Sequence, residues 1–120
     1  MAQYIKRDDA ILRVIPPAVF DIAEAQALAS ELSSALEGSE GPFAILVEHY
    51  RTSTITAPAR RVLAEVAQNP KLGRVAFLGG SVFMRTVASF IIRASGRTGT
   101  MRFFERDAEA EARAWAEGAQ

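Results

Sequence analysis

The sequence predicts an α/β fold with the element order ββαβαβαβα. A mainly parallel five-stranded sheet would begin with an antiparallel hairpin and carry four helices. Three observations predict this fold. After residue 21, short apolar blocks alternate with longer segments of helical periodicity. Gly79-Gly80 separates one such block from a long apolar helix. Near the start, two extended segments are joined only by the turn at Asp8-Asp9.

The first half of the chain supplies the hairpin, one helix and one buried strand. Strands are expected over residues 3–6 and 10–15, and Pro16-Pro17 ends the second, because proline donates no ladder hydrogen bond. Asp21 followed by Glu24 resembles a capping box, and the spacing of the next apolar residues predicts a helix that ends at Gly38.

The middle of the chain repeats the pattern of strand and helix. An apolar strand is predicted from Phe43 to Val47, and we expect it to run on to Tyr50. A helix opens at Thr56 or Ala57, with Pro58 in its first turn, where proline is tolerated.

A central strand and a long helix follow. Residues 75–78 form the next apolar block and predict a strand buried on both faces. Ser81 is a favourable N-cap for a helix that ends at Gly96.

The last two elements close the predicted order. A strand is expected over residues 100–106, with Phe103 and Phe104 on opposite faces. A final helix is expected over residues 108–117, capped by Asp107.

Composition bounds the class of protein. A chain of 120 residues with 49% hydrophobic and 23% charged residues is predicted to form one domain, residues 1–120, and is not disordered. It has no cysteine, which excludes disulfides and thiol catalysis and fits a cytoplasmic location. The start lacks a signal-peptide pattern, and no apolar run approaches the ~20 residues of a membrane span.

The net charge of zero hides an uneven distribution. Residues 1–50 carry three basic and eight acidic side chains, residues 51–106 carry ten and two, and residues 107–120 carry one and four. If the basic side chains of the middle segment share a face, they favour an anionic partner. The alternative is that they are scattered and pair with the acidic ends.

The helix that begins after Ser81 carries more apolar residues than one face can bury. Positions 84, 87, 88, 91 and 92 make a helical stripe, while Phe83 and Phe90 fall towards its flanks. Neighbouring elements would cover these rings in a fully packed monomer. Otherwise they predict a ligand groove, a lipid surface, a peripheral membrane contact or a homodimer contact, because extra apolar area on a small domain usually meets a partner.

A polar cluster is predicted where the strand ending near Tyr50 meets the next helix. Ligands of α/β sheets usually bind at such a place. The predicted ligand-binding or partner-binding residues of this cluster are Arg51, Thr52, Ser53, Thr54, Arg60 and Arg61. A phosphate on Ser53 or Thr54 would meet arginines and a helix N-terminus there. A loop rich in capping hydroxyls is the alternative.

Several kinds of site are excluded by what the chain lacks. With one histidine, His49, and no cysteine, neither a zinc site nor a cofactor is predicted. The sequence contains neither a Gly-x-Ser-x-Gly elbow nor paired carboxylates, so no enzyme is predicted. No nucleic-acid-binding module is recognisable either, and Phe103 and Phe104 are expected in the core.

The chain resembles the SpoIIAA-like family, which groups small STAS/SEC14-type bacterial proteins. The order of the elements, the block GRVAFLGG before a long apolar helix, and the ending MRFFERDAEAEARAWAEG carry the resemblance. It implies a STAS-like fold and a non-enzymatic role, either in protein–protein regulation or in binding an apolar ligand or a membrane surface.

The same resemblance implies a place for a phosphorylation switch. STAS antagonists of anti-sigma factors carry a phosphorylatable serine at the start of the helix after the third strand. The corresponding segment is HYRTSTITAPARR, whose candidate hydroxyls are those of Thr52, Ser53, Thr54 and Thr56. Ser53 and Thr54 are the predicted phosphorylation sites. It lacks the acidic residue and the Ser-Gly pair of those antagonists.

The sequence therefore predicts a non-enzymatic binding module. It would bind a partner protein or an apolar anionic ligand such as a lipid, through the helix of residues 81–95 and the turn of residues 51–61. Ser81, Phe83 and Phe90 are its expected contact residues on that helix. The alternative is a phosphorylation-controlled switch. Exposure of both Phe83 and Phe90 would support the first hypothesis, and burial of both would remove its surface.

Overall fold

The computed structural model describes residues 4–38 and 42–118. The strands of these ranges are β1 (Ile5–Asp8), β2 (Ile11–Val14), β3 (Val19–Phe20), β4 (Phe43–Val47), β5 (Thr54–Ile55), β6 (Leu72–Leu78) and β7 (Met101–Phe104). The helices are α1 (Ile22–Leu36), α2 (Ala57–Val66), α3 (Val82–Ser95) and α4 (Glu109–Ala116), with short 3-10 turns at His49–Arg51 and Thr98–Thr100.

The main sheet has five strands in the order β1-β2-β4-β6-β7. The first pair is antiparallel and every other pair is parallel, which confirms the predicted hairpin and mixed α/β architecture. Strand alternation divides the core between the two faces. Val75 packs in the cluster that includes residues of α1, α2 and α3, whereas Ala76 packs with Ala112 and Ala116 of α4.

Local capping explains where the helices begin and end. Asp21 accepts a hydrogen bond from the Glu24 amide at 2.9 Å, and Ser81 accepts one from the Met84 amide at 3.1 Å. Thr56 caps α2 in the same way. Gly96 ends α3 in the left-handed region, with φ 78°. These short-range bonds satisfy backbone groups that a helix end leaves unpaired, and all four positions were predicted.

The structure corrects three local predictions. β4 ends at Val47, and the chain turns at His49–Arg51 instead of continuing as a strand to Tyr50. β3 and β5, which were not predicted, pair in parallel as a second, two-stranded sheet. Asp107 is not the cap of α4, because a turn closed by the Ala108 amide and the Glu105 carbonyl delays the helix to Glu109.

The strand before Gly79 is also longer than the apolar block predicted. It starts at Leu72, since backbone pairing with Phe43 of β4 extends it through Gly73 and Arg74. None of the helices in the described ranges is both long enough and apolar enough to cross a bilayer.

Candidate functional site

At the carboxyl ends of β4 and β6, the residues that immediately precede the two predicted site segments are in contact. A Cβ atom on Gly79 would lie 2.8 Å from the Cβ of Tyr50, and one on Gly80 would lie 2.4 Å from Cδ2 of His49. Both glycines have positive φ, 71° and 98°. The turn that leads into α3 therefore packs directly on the turn that leaves β4, and it needs glycine at both positions.

His49 is the group that joins these two turns. Its side chain is buried, and its Nε2 lies 3.2 Å from the carbonyl oxygen of Met84 in α3. Its ring also packs against Phe77 and Phe103. Burial lowers the pKa of His49, so its ring is neutral and donates from Nε2 to that carbonyl. The structure therefore buries His49 between the end of the main sheet and α3.

The three predicted hydroxyls differ in what can reach them. Thr52 is buried, and its Oγ1 donates to the carbonyl of Pro17 at 3.0 Å. Ser53 is exposed and donates to the carbonyl of Ala18 at 3.2 Å, and Thr54 is exposed in β5. Solvent therefore reaches Ser53 and Thr54 but hardly Thr52.

The predicted arginines of this turn are engaged to different degrees. Arg51 Nε donates to Oε1 of Glu48, and Arg60 Nε donates to the carbonyl of Ile55 at 3.1 Å. Arg61 is exposed on α2. Two of the three predicted cations are therefore already bound within the chain, which weakens this turn as a site for an anion.

Glu48 is the centre of an ion-pair network that the sequence analysis missed. Its buried carboxylate accepts hydrogen bonds from Arg13 of β2 and from Arg51. Arg13 also donates to both oxygens of Glu109 in α4, at 2.8 and 2.9 Å. Burial raises the pKa of Glu48, but the two arginines outweigh it and hold that pKa below its usual range. One signal in the sequence could have revealed this network. Arg13 is a cation within an otherwise apolar strand, and such a cation usually pairs with a carboxylate.

The outer side of α3 is the exposed apolar surface. Met84, Val87, Ala88 and Ile92 of the predicted stripe are buried and Ile91 is half-buried. Three large apolar side chains of the helix remain exposed, Val82 at 85%, Phe83 at 65% and Phe90 at 59%. Phe83 and Phe90 are seven residues apart, about 10 Å along one side of the helix. We call Val82, Phe83 and Phe90 the α3 aromatic surface.

All charged side chains of α3 are positive. α3 carries Arg85 and Arg93 and no acidic residue. The Arg93 guanidinium lies 5.8 Å from the centroid of the Phe90 ring, and it is exposed. Arg85 is less available, because it donates to the carbonyl of Gly79 at 3.2 Å and lies 3.6 Å from Glu105.

Ser81 lies at the start of the same helix. Its hydroxyl is exposed but serves as the N-cap described above. No group of three or more His, Asp or Glu side chains is placed to hold a metal ion in the described ranges.

Comparisons with known proteins agree on the fold. A family model described as SpoIIAA-like matches residues 11–117. A solved structure with a SpoIIAA-like fold, an uncharacterised protein of the DUF3478 family from Shewanella loihica PV-4, is similar with a TM-score of 0.62. The two are 15% identical, over 93% of this chain and 90% of that one, which supports the fold alone. No match was found among curated proteins.

Proposed function

Because this chain belongs to the SpoIIAA-like family, we propose that it is a non-catalytic binding module that docks through the α3 aromatic surface. The fold is that of a regulatory or binding module, and proteins of this fold are generally non-enzymatic. The exposure of Phe83 and Phe90 carries the proposal, since the packed monomer leaves both rings largely in water.

The partner that best fits this surface is an anionic lipid surface. Aromatic side chains enter the boundary between headgroups and acyl chains, while arginines attract anionic headgroups. α3 offers Phe83, Phe90 and the exposed Arg93 side by side, with no acidic residue on the helix to repel lipid. For this role we place the protein in the cytoplasm, where the facing leaflet is negative.

The expected attachment is reversible. An arginine near an anionic surface contributes about 1 kcal/mol. Burying a whole phenylalanine contributes roughly 1.5–3 kcal/mol, and the two rings here are already partly covered, so each adds less. Such a sum favours transient contact over a permanent anchor.

Vesicle co-sedimentation tests the proposal. The native protein should sediment with vesicles of phosphatidylcholine mixed with phosphatidylglycerol, and much less with phosphatidylcholine alone. The double variant Phe83→Ser/Phe90→Ser should stay in solution, and Arg93→Gln should bind more weakly at low salt. Val19→Ser is the matched control, because Val19 is an exposed apolar side chain of β3.

Two results would contradict lipid docking. One is equal sedimentation of the native protein and the double variant. The other is a dimer or a complex with another protein that the double variant abolishes while native protein ignores both kinds of vesicle. That second result would assign the α3 aromatic surface to a protein contact.

A phosphorylation switch is the second candidate, and the exposure of Ser53 and Thr54 favours it. A phosphate on Ser53 would replace its bond to Ala18 and compete with Glu48 for Arg51. Intact-mass measurement with peptide mapping, on protein purified from its own host, should place a phosphate on Ser53 or Thr54 and none on the buried Thr52. Unmodified protein before and after phosphatase treatment would count against this switch.

A further inference from the structure

An ion-pair network links the turn of residues 51–54 to α4, which lies on the opposite face of the sheet from α3. One carboxylate oxygen of Glu48 accepts from Arg51 Nε, and the other accepts from Arg13 Nε. The two remaining nitrogens of Arg13 hold both oxygens of Glu109 in α4, at 2.8 and 2.9 Å. Arg51 is therefore joined to α4 through two intervening side chains.

The charges closest to Glu48 balance only while Arg51 takes part. Within the described ranges, three arginines and three carboxylates pair at 3.6 Å or less: Arg13, Arg51, Arg113, Asp8, Glu48 and Glu109. The exposed Asp9, 3.9 Å from the nearest of these arginines, only adds negative charge. If Arg51 leaves, Glu48 and Glu109 share Arg13, and their like charges repel each other with less compensation.

Glu48 has the stronger attraction for Arg13. Its carboxylate is buried, whereas that of Glu109 is partly exposed and can be hydrated. A buried carboxylate that loses a partner is more costly than an exposed one, because water cannot replace the lost bond. Loss of Arg51 therefore draws Arg13 towards Glu48 and weakens the bond between Arg13 and Glu109.

Apolar burial holds α4 only weakly to the sheet. The helix has eight residues, and its fully buried side chains are the small ones of Ala112 and Ala116. Trp115 is half-buried, with its ring 5.7 Å from that of Phe104. Since a short helix with little buried apolar area opens locally at low cost, the bidentate bond to Arg13 has a large share in keeping α4 in place.

We propose that Glu48 couples Arg51 to α4, so that an anion that takes Arg51 from Glu48 loosens α4 from the sheet. The sheet face that α4 covers is apolar and includes Ile11, Leu46 and Leu78. Loosening α4 exposes this face. The natural trigger, a phosphate on Ser53, rests on the phosphorylation switch proposed above, whereas the coupling belongs to the network itself.

The single tryptophan of the chain, Trp115, lies in α4 and reports its attachment. Acrylamide should quench its fluorescence more strongly in Arg51→Gln than in the native protein. Amide hydrogen exchange at Ala112 and Glu117, which bond within α4, should accelerate by roughly twofold to tenfold, the range that a partly exposed ion pair supports. This acceleration should exceed any in β6, which exchanges by global unfolding. Arg61→Gln is the matched control, because it removes an exposed arginine of α2, and it should change neither signal.

Two further variants test the route. Glu109→Ala should loosen α4 by itself, and adding Arg51→Gln to it should have little further effect, because the bond that Arg51 supports is already absent. Phosphoserine incorporated at position 53 (Ser53→phosphoserine) should loosen α4 in the native background but not in the Arg51→Gln background.

The outcomes separate the coupling from its trigger. Equal quenching and equal exchange of α4 in Arg51→Gln and Arg61→Gln would overturn the coupling, as would phosphoserine at position 53 that leaves α4 unchanged. Additive effects of Arg51→Gln and Glu109→Ala would overturn the route through Arg13. If the coupling is observed while protein from its own host carries no phosphate, the phosphorylation switch fails and the coupling stands.

Discussion

A single methyl group should be far more damaging between β6 and α3 than at the end of α3. Gly80 and Gly96 both have positive φ, 98° and 78°. Alanine at either position therefore destabilises the folded backbone by about 1–2 kcal/mol. Only at position 80 does the new Cβ also collide, 2.4 Å from Cδ2 of His49, whereas nothing lies within 4 Å of it at position 96.

The collision cannot be relieved cheaply. His49 is buried against Phe77 and Phe103, so moving its ring disturbs the core. Overpacking of this kind costs roughly 1–3 kcal/mol beyond the backbone cost. We expect Gly96→Ala to lower the free energy of unfolding by about 1–2 kcal/mol and Gly80→Ala by about 2–5 kcal/mol. Each kcal/mol corresponds to roughly 4 °C in melting temperature for a domain of this size.

Urea denaturation of the two single variants measures this difference. A double-mutant cycle with His49→Ala then tests its cause, since Gly80→Ala should cost less when the ring is absent. Equal losses for Gly80→Ala and Gly96→Ala would refute the reasoning. A cost of Gly80→Ala that is unchanged in the His49→Ala background would refute the assignment to this contact.

Three further predictions concern polar side chains that bond within the fold, His49, Glu48 and Arg97. Burial lowers the pKa of His49, the only histidine, so stability present above pH ~6.5 should decline as pH falls below it, by at most about 1.4 kcal/mol per pH unit. The decline of unfolding free energy with falling pH should be shallower in His49→Gln. A native protein whose stability does not change over this pH range would contradict the prediction. Glu48→Gln should cost about 1–3 kcal/mol in urea unfolding, because Arg13 loses one of its three carboxylate partners. Glu105→Gln, at an exposed pair, should change stability by less than about 1 kcal/mol, and an equal loss for both would contradict the network. Arg97→Lys should cost about 1–3 kcal/mol by the same assay, because the guanidinium donates to four backbone carbonyls that one ammonium cannot reach together, and native-like stability would disprove this.

Local features of this fold were predictable where neighbours in the chain decide them. Asp21, Thr56 and Ser81 cap helices through amides three residues ahead, and Gly96 ends α3 because it adopts positive φ without strain. The stripe on α3 was predictable for the same reason, since helical spacing alone places Met84 and its partners on one side.

Prediction failed where the partner is distant in sequence. Nothing near Tyr50 indicates that β4 stops at Val47, because the stop depends on packing of His49 under α3. The pairing of β3 with β5 joins segments 35 residues apart, each too short to show an alternating pattern.

The sequence by itself determined the order of the four helices and of the five strands of the main sheet, the mainly parallel sheet with its hairpin, and the excess of apolar residues on α3. These follow from periodicity and from capping over a few residues. Only the tertiary structure decided that Phe83 and Phe90 stay exposed, that Thr52 is buried beside an exposed Ser53, and that Arg13 meets Glu109, 96 residues away. It alone also placed three helices over one sheet face with a cavity between them. Burial, pairing and voids depend on which distant surfaces meet, and no short stretch of sequence contains that information.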